Sequence, residues 1–303
     1  MDHLQAIRAF VRVVEAGSFI RASESLQIPY ATLSKSIQAL EKRLRVKLLE
    51  RTTRRVSVTE DGAAYYQRMR QLLDELDDVE ATLGRAHASP RGRLRVDTGG
   101  SVASGILIPS LQTFCTRYPD IDIQLGVTDR TLDLIGENID CAIRSSANDP
   151  AMVAHRIGAL EWTTCASPDY LARHGSPSHP RQIASDDHTV VGYFLARTGR
   201  TQALHFLDAG KPFEVEAHNR VSVNESNAHV ATALAGLGLV HTLDFMVRAH
   251  IERGELVAVL KEWRPAAQDV YIVYPPNRQL STKVRVFIDW ATALFAERQY
   301  PVE

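Results

Sequence analysis

The sequence predicts a chain of two parts: an all-α head that contains a winged helix-turn-helix, and an α/β body with two lobes. Three observations lead to this prediction. Apolar residues recur at helical steps through residues 4–44. Positive charge is concentrated in the same region. From residue 93 onward, strand and helix patterns alternate, as they do in α/β folds.

The composition is that of an ordinary globular protein, with 45% hydrophobic and 23% charged residues in a chain of 303. This length suggests about two domains. The three cysteines, Cys115, Cys141 and Cys165, are too few for a disulfide scaffold and indicate a reduced compartment. The start lacks a signal-peptide pattern, and no apolar run approaches the roughly 18 residues that span a bilayer. We therefore expect a cytoplasmic protein that binds no membrane.

Charge is unevenly distributed along the chain. Residues 1–58 hold 11 basic and 5 acidic side chains, a net charge of +6, whereas the whole chain carries −1. The remaining residues therefore carry −7. A basic head on an acidic body indicates anion binding, for which DNA is the usual large polyanion. A solvated basic surface without a partner is the alternative that charge alone leaves open.

The head has the pattern of three helices. Gly17 predicts the end of the first helix, and Ser18 is a candidate cap for the second. The pair Ile28-Pro29 ends the second helix and opens the third, because proline is tolerated in a first helical turn. The inward residues of the first helix are Leu4, Ile7, Phe10, Val11 and Val14, and those of the third are Leu33, Ile37, Leu40 and Leu44.

The outward side chains near the start of the third helix suit the edges of DNA bases. Short hydroxyls, an amide and one lysine face out where a recognition helix meets the major groove. The alternating residues 54–58 then predict a short β ribbon, with basic residues at its tip for phosphates or the minor groove. The predicted DNA-binding residues are Tyr30, Ala31, Thr32, Ser34, Lys35 and Gln38 on the helix, and Arg51, Thr53 and Arg54 on the ribbon.

Residues 59–88 predict a linking helix with a heptad seam. Thr59 is its expected cap, and acidic residues follow at the positive end of the helix dipole. An isolated helix of this length is marginal, so it should pack against another element. A partner helix is favoured over its own domain, because the helix lies between the basic head and a flexible stretch. Residues 84–92 contain Gly and Pro and predict a hinge. The seam consists of Met69, Leu72, Leu76, Val79 and Leu83.

Together these segments resemble the N-terminal part of LysR-type transcriptional regulators. The matching segments are residues 10–19 (FVRVVEAGSF) with Ala22 and Leu26, residues 33–37 (LSKSI) with Leu40, Glu41 and Leu44, residues 48–54 (LLERTTR), and residues 59–62 (TEDG). The family usually has Ser, Gly and Phe where this chain has Pro29, Arg45 and Leu49. Pro29 removes a side-chain cap from the recognition helix, and Arg45 changes the turn that follows it.

The resemblance implies a homodimer or a dimer-of-dimers tetramer that binds double-stranded DNA. It implies an imperfect palindrome with a T-N11-A core, often beside the regulator's own gene. It further implies that a small effector bound in the C-terminal domain changes the bend or register of the protein on DNA.

The body, residues 89–303, has the pattern of two α/β lobes. We place lobe I at about 93–161 and 267–303, and lobe II at about 162–266, so that the chain crosses between them twice. This arrangement resembles periplasmic-binding-protein folds. Predicted strands include 94–96, 121–127, 141–144 and 270–274; predicted helices include 105–117, 131–139 and 284–295.

Ligands in such folds lie at the carboxyl ends of strands, between the lobes. Backbone N–H groups at a helix start, together with hydroxyls, suit a carboxylate or another anion. Arg144 is a candidate for an anion contact or for a salt bridge between the lobes. Ser226 or Asn227 could instead cap a helix. The candidate effector-binding residues are Thr98, Gly100, Ser101, Val102, Thr128, Arg144, Thr163, Tyr193, Asn224 and Ser226.

No motif in the sequence indicates catalysis, a cofactor or a metal. There is no C-x-x-C, H-E-x-x-H, G-x-S-x-G or Walker motif. The sequence therefore predicts a non-enzymatic transcriptional regulator controlled by an anionic or aromatic effector. The alternative is a small-molecule-binding protein or enzyme whose basic head serves only oligomerisation.

Overall fold

The computed structural model describes residues 2–51, 56–83, 90–130, 132–137, 139–147, 149–184, 188–276 and 280–297. The chain divides into two compact units, Met1–Ala88 and Ser89–Glu303. The first unit is helical with one short ribbon, and the second is α/β.

The head begins with three helices: α1 (His3–Ala16), α2 (Phe19–Leu26) and α3 (Tyr30–Leu44). Gly17 ends α1 in the left-handed conformation at φ 61°, and Ser18 caps α2 through the Arg21 amide. Both features confirm the predicted boundaries. The inward faces form one core, in which Phe10, Leu33 and Ile37 are completely buried.

A two-stranded antiparallel ribbon and a long helix complete the head. The ribbon pairs β1 (Leu49–Arg51) with β2 (Val56–Val58), as the alternation predicted. Helix α4 (Glu60–Leu83) begins after Thr59, whose Oγ1 accepts the Gly62 amide at 2.9 Å. The predicted tip residues Thr53 and Arg54 lie outside the described residues.

The predicted seam of α4 is divided between two environments. Tyr65, Tyr66, Met69 and Leu73 pack against the core of the head. Leu72, by contrast, is 48% exposed. For Met69 the expected packing against a partner helix was therefore wrong, and the alternative of packing within its own domain holds. Val79 and Leu83 belong to the part of α4 whose side chains are outside the description.

Lobe I has a five-stranded sheet in the order β4-β3-β5-β14-β6. Its strands β3 (Gly92–Thr98), β4 (Ile121–Val127) and β5 (Cys141–Arg144) are parallel neighbours, while β14 pairs antiparallel with both β5 and β6. The other elements of this lobe are α5 (Gly100–Val102), α6 (Leu111–Arg117), β6 (Val153–Leu160), β14 (Gln268–Tyr274) and α10 (Thr282–Glu297), with a π-helical turn at Ala103–Leu107 and a 3-10 turn at Ile108–Ser110 between α5 and α6.

Lobe II repeats this topology. Its elements are β7 (Trp162–Ala166), α7 (Pro168–His174), a 3-10 turn (Pro180–Ala184), β8 (Val191–Tyr193), β9 (Leu204–Asp208), β10 (Lys211–Val215), β11 (Val221–Val223), α8 (Ser226–Leu234), β12 (Val240–Leu243), α9 (Asp244–Glu252), β13 (Val257–Val259) and a 3-10 turn (Lys261–Trp263). A parallel bridge between Val190 and Leu239 places β8 beside β12, which gives the order β11-β8-β12-β7-β13. As in lobe I, two parallel pairings are followed by two antiparallel ones.

One predicted helix does not form. Residues 134–137 form a turn, and residues 132–133 and Ile139 have no regular secondary structure, whereas the apolar spacing had predicted a helix over 131–139. The Asp133 carboxylate accepts the Gly136 amide at 2.9 Å, which offers the backbone an alternative to helical hydrogen bonds. Thr131 and Asn138 lie outside the described residues.

Candidate DNA interface and ligand cleft

The outer face of α3 presents the side chains that the sequence analysis selected. Tyr30 is 53% exposed, and Ala31, Lys35 and Gln38 are exposed as well. Thr32 and Ser34 are partly buried. Leu33, Ile37 and Leu40 hold the opposite face in the core. The structure therefore gathers these six candidates along one surface of a well-anchored helix.

Pro29 and Arg45, where the chain departs from the family pattern, leave α3 intact. No side chain caps the start of α3 at Pro29, as expected from proline. Arg45 adopts the left-handed conformation at φ 58°, the conformation that glycine adopts most readily. The turn that ends α3 is thus retained, with Arg45 in a backbone conformation that is strained for a residue other than glycine.

Glu41 connects the recognition helix to the ribbon. Its Oε1 accepts the amides of Leu48 at 2.9 Å and Leu49 at 3.2 Å, and its side chain is buried. Sequence reasoning missed this role, although Glu41 lies four residues after Ile37 on the inward face of α3. The presence of a carboxylate in the apolar row of α3 could have indicated that Glu41 binds buried backbone amides. Arg51 lies in β1, but its side chain is outside the description.

The body contains a cleft of about 1300 Å³. The carboxyl ends of β3, β4 and β5 meet it from lobe I, and those of β8 and β11 lie on the lobe II side, as expected for this topology. Six predicted effector-binding residues line the cleft: Ser101, Val102, Thr128, Arg144, Tyr193 and Ser226.

Four predicted residues do not line the cleft: Thr98, Gly100, Thr163 and Asn224. Thr98 and Thr163 lie in strands and are at most 1% exposed. Each hydroxyl lacks a hydrogen-bond partner among the described residues. Alternation along a strand decides which face a side chain takes, and both threonines face the interior instead of the cleft.

Asp129 is the hydrogen-bonding centre of the cleft. Its Oδ1 accepts the Gly100 amide at 2.8 Å. Its Oδ2 accepts the Tyr193 hydroxyl at 2.9 Å, the Ser226 amide at 2.9 Å and the Ser226 hydroxyl at 3.0 Å. The Tyr193 hydroxyl also lies 3.3 Å from the Asn224 carbonyl oxygen. Sequence reasoning selected all three residues that donate to Asp129, and also Asn224, but missed the carboxylate that joins Gly100, Tyr193 and Ser226.

This network has clear electrostatic consequences. Burial, followed by the negative charge of Asp129, raises the pKa of Tyr193 above its ordinary value, so the phenol remains a hydrogen-bond donor. Glu225, which precedes α8, accepts the amides of Asn227 and Ala228. The cap of α8 is therefore Glu225, and the alternative of a Ser226 or Asn227 cap was wrong.

Arg144 pairs with Asp97 through its Nη2, and both residues belong to lobe I. The suggested salt bridge between lobes was therefore wrong, because the partner lies on the neighbouring strand β3. Burial raises the pKa of Asp97, and the hydrogen bond and charge of Arg144 act in the opposite direction. Arg144 thus already has a carboxylate partner within lobe I.

An aromatic corner of the cleft is formed by Trp162, Phe206 and His241. The His241 ring stacks on Trp162 at a centroid distance of 5.1 Å and an interplanar angle of 5°. Its Nδ1 lies 2.9 Å from the Thr164 hydroxyl, and its Nε2 has no partner among the described residues. Burial lowers the pKa of His241 to about 3, so the ring is neutral at physiological pH.

The described residues contain no cluster of three or more His, Cys, Asp or Glu side chains suited to a metal ion. In the described part of the chain, no helix has both the length and the apolar character needed to cross a bilayer. Cys141 and Cys165 are buried, and burial raises the pKa of both thiols.

A winged helix-turn-helix followed by a two-lobed domain with a cleft of small-molecule size is the domain arrangement of a DNA-binding transcriptional regulator. The family model described as "Bacterial regulatory helix-turn-helix protein, lysR family" matches residues 4–63, and "LysR substrate binding domain" matches residues 87–296. The chain belongs to the LysR family of transcriptional regulators.

Full-length relatives support this assignment. An HTH-type transcriptional repressor of Pseudomonas aeruginosa (strain UCBPP-PA14) is 38% identical, over 98% of this chain and 93% of that protein. The solved structure of CrgA, a LysR-type regulator from Neisseria meningitidis, has a TM-score of 0.60 at 31% identity and covers 95% of this chain and 97% of its own. Full-length AphB, a virulence activator of Vibrio cholerae, has a TM-score of 0.59 at 28% identity, covering 97% and 99%. Because its relatives are named as transcriptional regulators, this chain is a regulator and not an enzyme.

Proposed function

We propose that this regulator binds specific DNA sequences through α3 and the ribbon, and responds to an aromatic or anionic small molecule bound between the lobes of its body. Residues 1–58 form the DNA-binding domain, residues 59–88 the dimerisation helix and residues 89–303 the effector domain. The observation that carries the proposal is the combination, in one chain, of an exposed polar face on α3 with a cleft of about 1300 Å³.

The DNA target is an imperfect palindrome with a T-N11-A core, bound by a dimer or tetramer. Two-fold symmetry in such a site reflects two-fold symmetry in the protein. The exposed Leu72 on α4 supplies an apolar contact for a second copy. Since chromosomal DNA is its target, the regulator acts in the cytoplasm.

The cleft wall favours a ligand with an aromatic ring. Trp162, which is partly exposed, lines one corner, and Val102, Leu243 and Met246 add apolar surface. Arg130 and Arg197 also line the cleft and are exposed, so they offer positive charge at its rim. Effector binding changes the separation of the lobes and thereby the bend or register on DNA.

Capture of sheared genomic DNA by the full-length protein, followed by sequencing, tests the proposal. Sharp peaks that contain a T-N11-A palindrome are expected, and the neighbouring genes would indicate the effector. Retention without peaks, abolished by moderate salt, would contradict sequence-specific binding.

Lys35→Ala and Arg54→Ala should each weaken binding to a captured site while the oligomer stays intact. Lys35 is exposed on α3, and loss of one charged contact to DNA costs about 1–3 kcal/mol when the contact is to a base. Fluorescence anisotropy measures the affinity, and sedimentation measures the oligomer. Lys211→Ala, an exposed lysine in the body, is the matched control. Unchanged affinity in both head variants would refute the contact assignment.

A further inference from the structure

The donors expected to hold a ligand's carboxylate are already occupied by the protein's own carboxylates. Asp129 accepts the amide of Gly100, the first residue of α5 in lobe I. From lobe II it accepts the Ser226 amide, the Ser226 hydroxyl and the Tyr193 hydroxyl. These four donors are the kind that bind an anion at a helix start.

Glu225 accepts the next backbone amides at the start of α8. It accepts the amides of Asn227 at 3.0 Å and Ala228 at 2.7 Å. The amides of Ser226, Asn227 and Ala228 therefore all point at carboxylate oxygens of the protein. An anionic ligand at the start of α8 would meet two negative charges and no available amide among these three.

Two glycines show that the backbone is shaped around these carboxylates. A Cβ on Gly99 would lie 2.8 Å from the Asp129 Oδ1, and one on Gly100 would lie 2.4 Å from the Glu225 Oε1. Any larger residue would force the carboxylates away. The Ser104 hydroxyl adds a further contact between the lobes, 3.0 Å from the Asn227 Oδ1.

We propose that Asp129 determines ligand specificity: its carboxylate fills the anion-binding donors at the lobe interface, so the cleft accepts an uncharged aromatic ligand and excludes a carboxylate at this position. This inference rests on the proposed function, because it takes the cleft as the effector site. Of the aromatic and anionic ligands proposed above, it favours the aromatic ligand. Because Asp97 already pairs with Arg144, this arginine is also less available to a ligand's carboxylate.

Asp129 also links the lobes, since its partners Tyr193 and Ser226 belong to lobe II while Asp129 follows β4 of lobe I. A ligand that carried its own carboxylate to these donors would have to displace Asp129. Removing the Asp129 carboxylate should therefore do two things. It should weaken the connection between lobes, and it should create a vacant site for a small carboxylate.

Formate rescue of Asp129→Ala in the full-length protein tests the proposal. Formate carries the missing carboxylate, and formamide is its uncharged counterpart. We expect the thermal midpoint of the variant to lie below that of wild type and to rise saturably with formate, by at least about 2 °C at constant ionic strength. Wild type with formate, and the variant with formamide, should show no such rise. Adding Ser226→Ala and Tyr193→Phe to the variant removes two of the four donors and should weaken the response, while the Gly100 and Ser226 amides remain.

Equal responses of wild type and Asp129→Ala to formate would overturn the proposal, as would a variant as stable as wild type that ignores formate. If Asp129→Ala does not fold, Asp129→Asn preserves the shape, and hydrogen exchange at the Ser226 and Gly100 amides replaces the midpoint. Because asparagine keeps one acceptor oxygen and replaces the other with an NH2 donor, faster exchange is expected at one or both of these amides, and unchanged protection at both would refute the assignment. Neither measurement uses DNA or an effector, so a failure here is distinct from a failure of the proposed regulatory function.

Discussion

His241 is a neutral imidazole held inside lobe II, 92% shielded from solvent by the packing around it. Burial is the main cause of its lowered pKa, and electrostatic repulsion from His205 and His229 lowers the pKa further. An unfolded histidine has a pKa near 6.5, so the unfolded chain binds this proton more readily than the folded chain does. Stability is therefore complete above about pH 6.5 and is lost as the pH falls from there toward about 3.

We predict that His241→Phe makes the stability of the protein less dependent on pH between about 6.5 and 4. The ring volume is retained, but the group no longer titrates. Each proton bound preferentially by the unfolded state contributes up to about 1.4 kcal/mol per pH unit. Urea unfolding at several pH values measures this slope. His218→Gln, at an exposed position, should leave the slope unchanged, and an equal effect of both substitutions would contradict the role of burial.

At the scale of elements, the ribbon depends on one side chain of α3. Glu41→Ala removes the acceptor of two buried backbone amides, those of Leu48 and Leu49. Unsatisfied buried donors cost about 1–3 kcal/mol each, so the head should be destabilised by at least that amount. DNA affinity should fall as well, because the ribbon loses its anchor. Unfolding by denaturant and anisotropy with a captured DNA site measure the two effects.

Glu50→Ala serves as the control for Glu41→Ala, since Glu50 is exposed on β1. Its removal should leave the stability within about 0.5 kcal/mol of wild type. If both variants lost the same stability, the loss would reflect helix or strand composition and not the buried hydrogen bonds.

The predicted seam of α4 contains side chains with two different roles, contact with a second copy and packing within the head. Leu72→Ala should weaken self-association with little loss of stability, because Leu72 is 48% exposed within the head. Met69→Ala should instead destabilise the head, because Met69 packs against its core. Sedimentation over a concentration series and thermal unfolding distinguish the two. Self-association unchanged by Leu72→Ala would remove this residue from the contact between copies.

At the scale of the whole molecule, DNA binding and effector response should be separable. Ser101→Ala combined with Thr128→Val changes two residues that line the cleft and none in the head. DNA affinity without added compounds should stay the same. The response to a compound that shifts the DNA affinity of wild type should fall. Ser178→Ala, exposed in lobe II outside the cleft, is the control, and an unaltered response of the double variant would exclude both residues from the effector site.

The chain crosses between its lobes at two points that are tied together. Arg264 lies 3.7 Å from the Glu161 carboxylate and 3.6 Å from that of Asp244. The Asp244 amide donates to the Glu161 carbonyl at 2.8 Å. Glu161 and Arg264 lie next to the two crossings in sequence, so these contacts hold the two crossings together.

The sequence by itself determined the helices of the head and the first lobe's strands, because periodicity and capping are local properties. Ser18, Gly17 and the apolar row on α3 act within a few residues of their own positions. It also indicated the cleft, since parallel strands present their carboxyl ends at one edge of a sheet. Local patterns were insufficient at residues 132–137, where the Asp133 side chain redirects the backbone.

Only the tertiary structure decided which polar groups meet. Asp129 is 64 residues from Tyr193 and 97 from Ser226, and Arg144 is 47 from Asp97. Nothing in the local pattern distinguishes these carboxylates from solvated ones. The partners of Asp129 are set by how two sheets of the same topology face each other, and the partner of Asp97 is set by the pairing of β3 with β5. This pairing turned the expected anion-binding donors into contacts already satisfied by the protein.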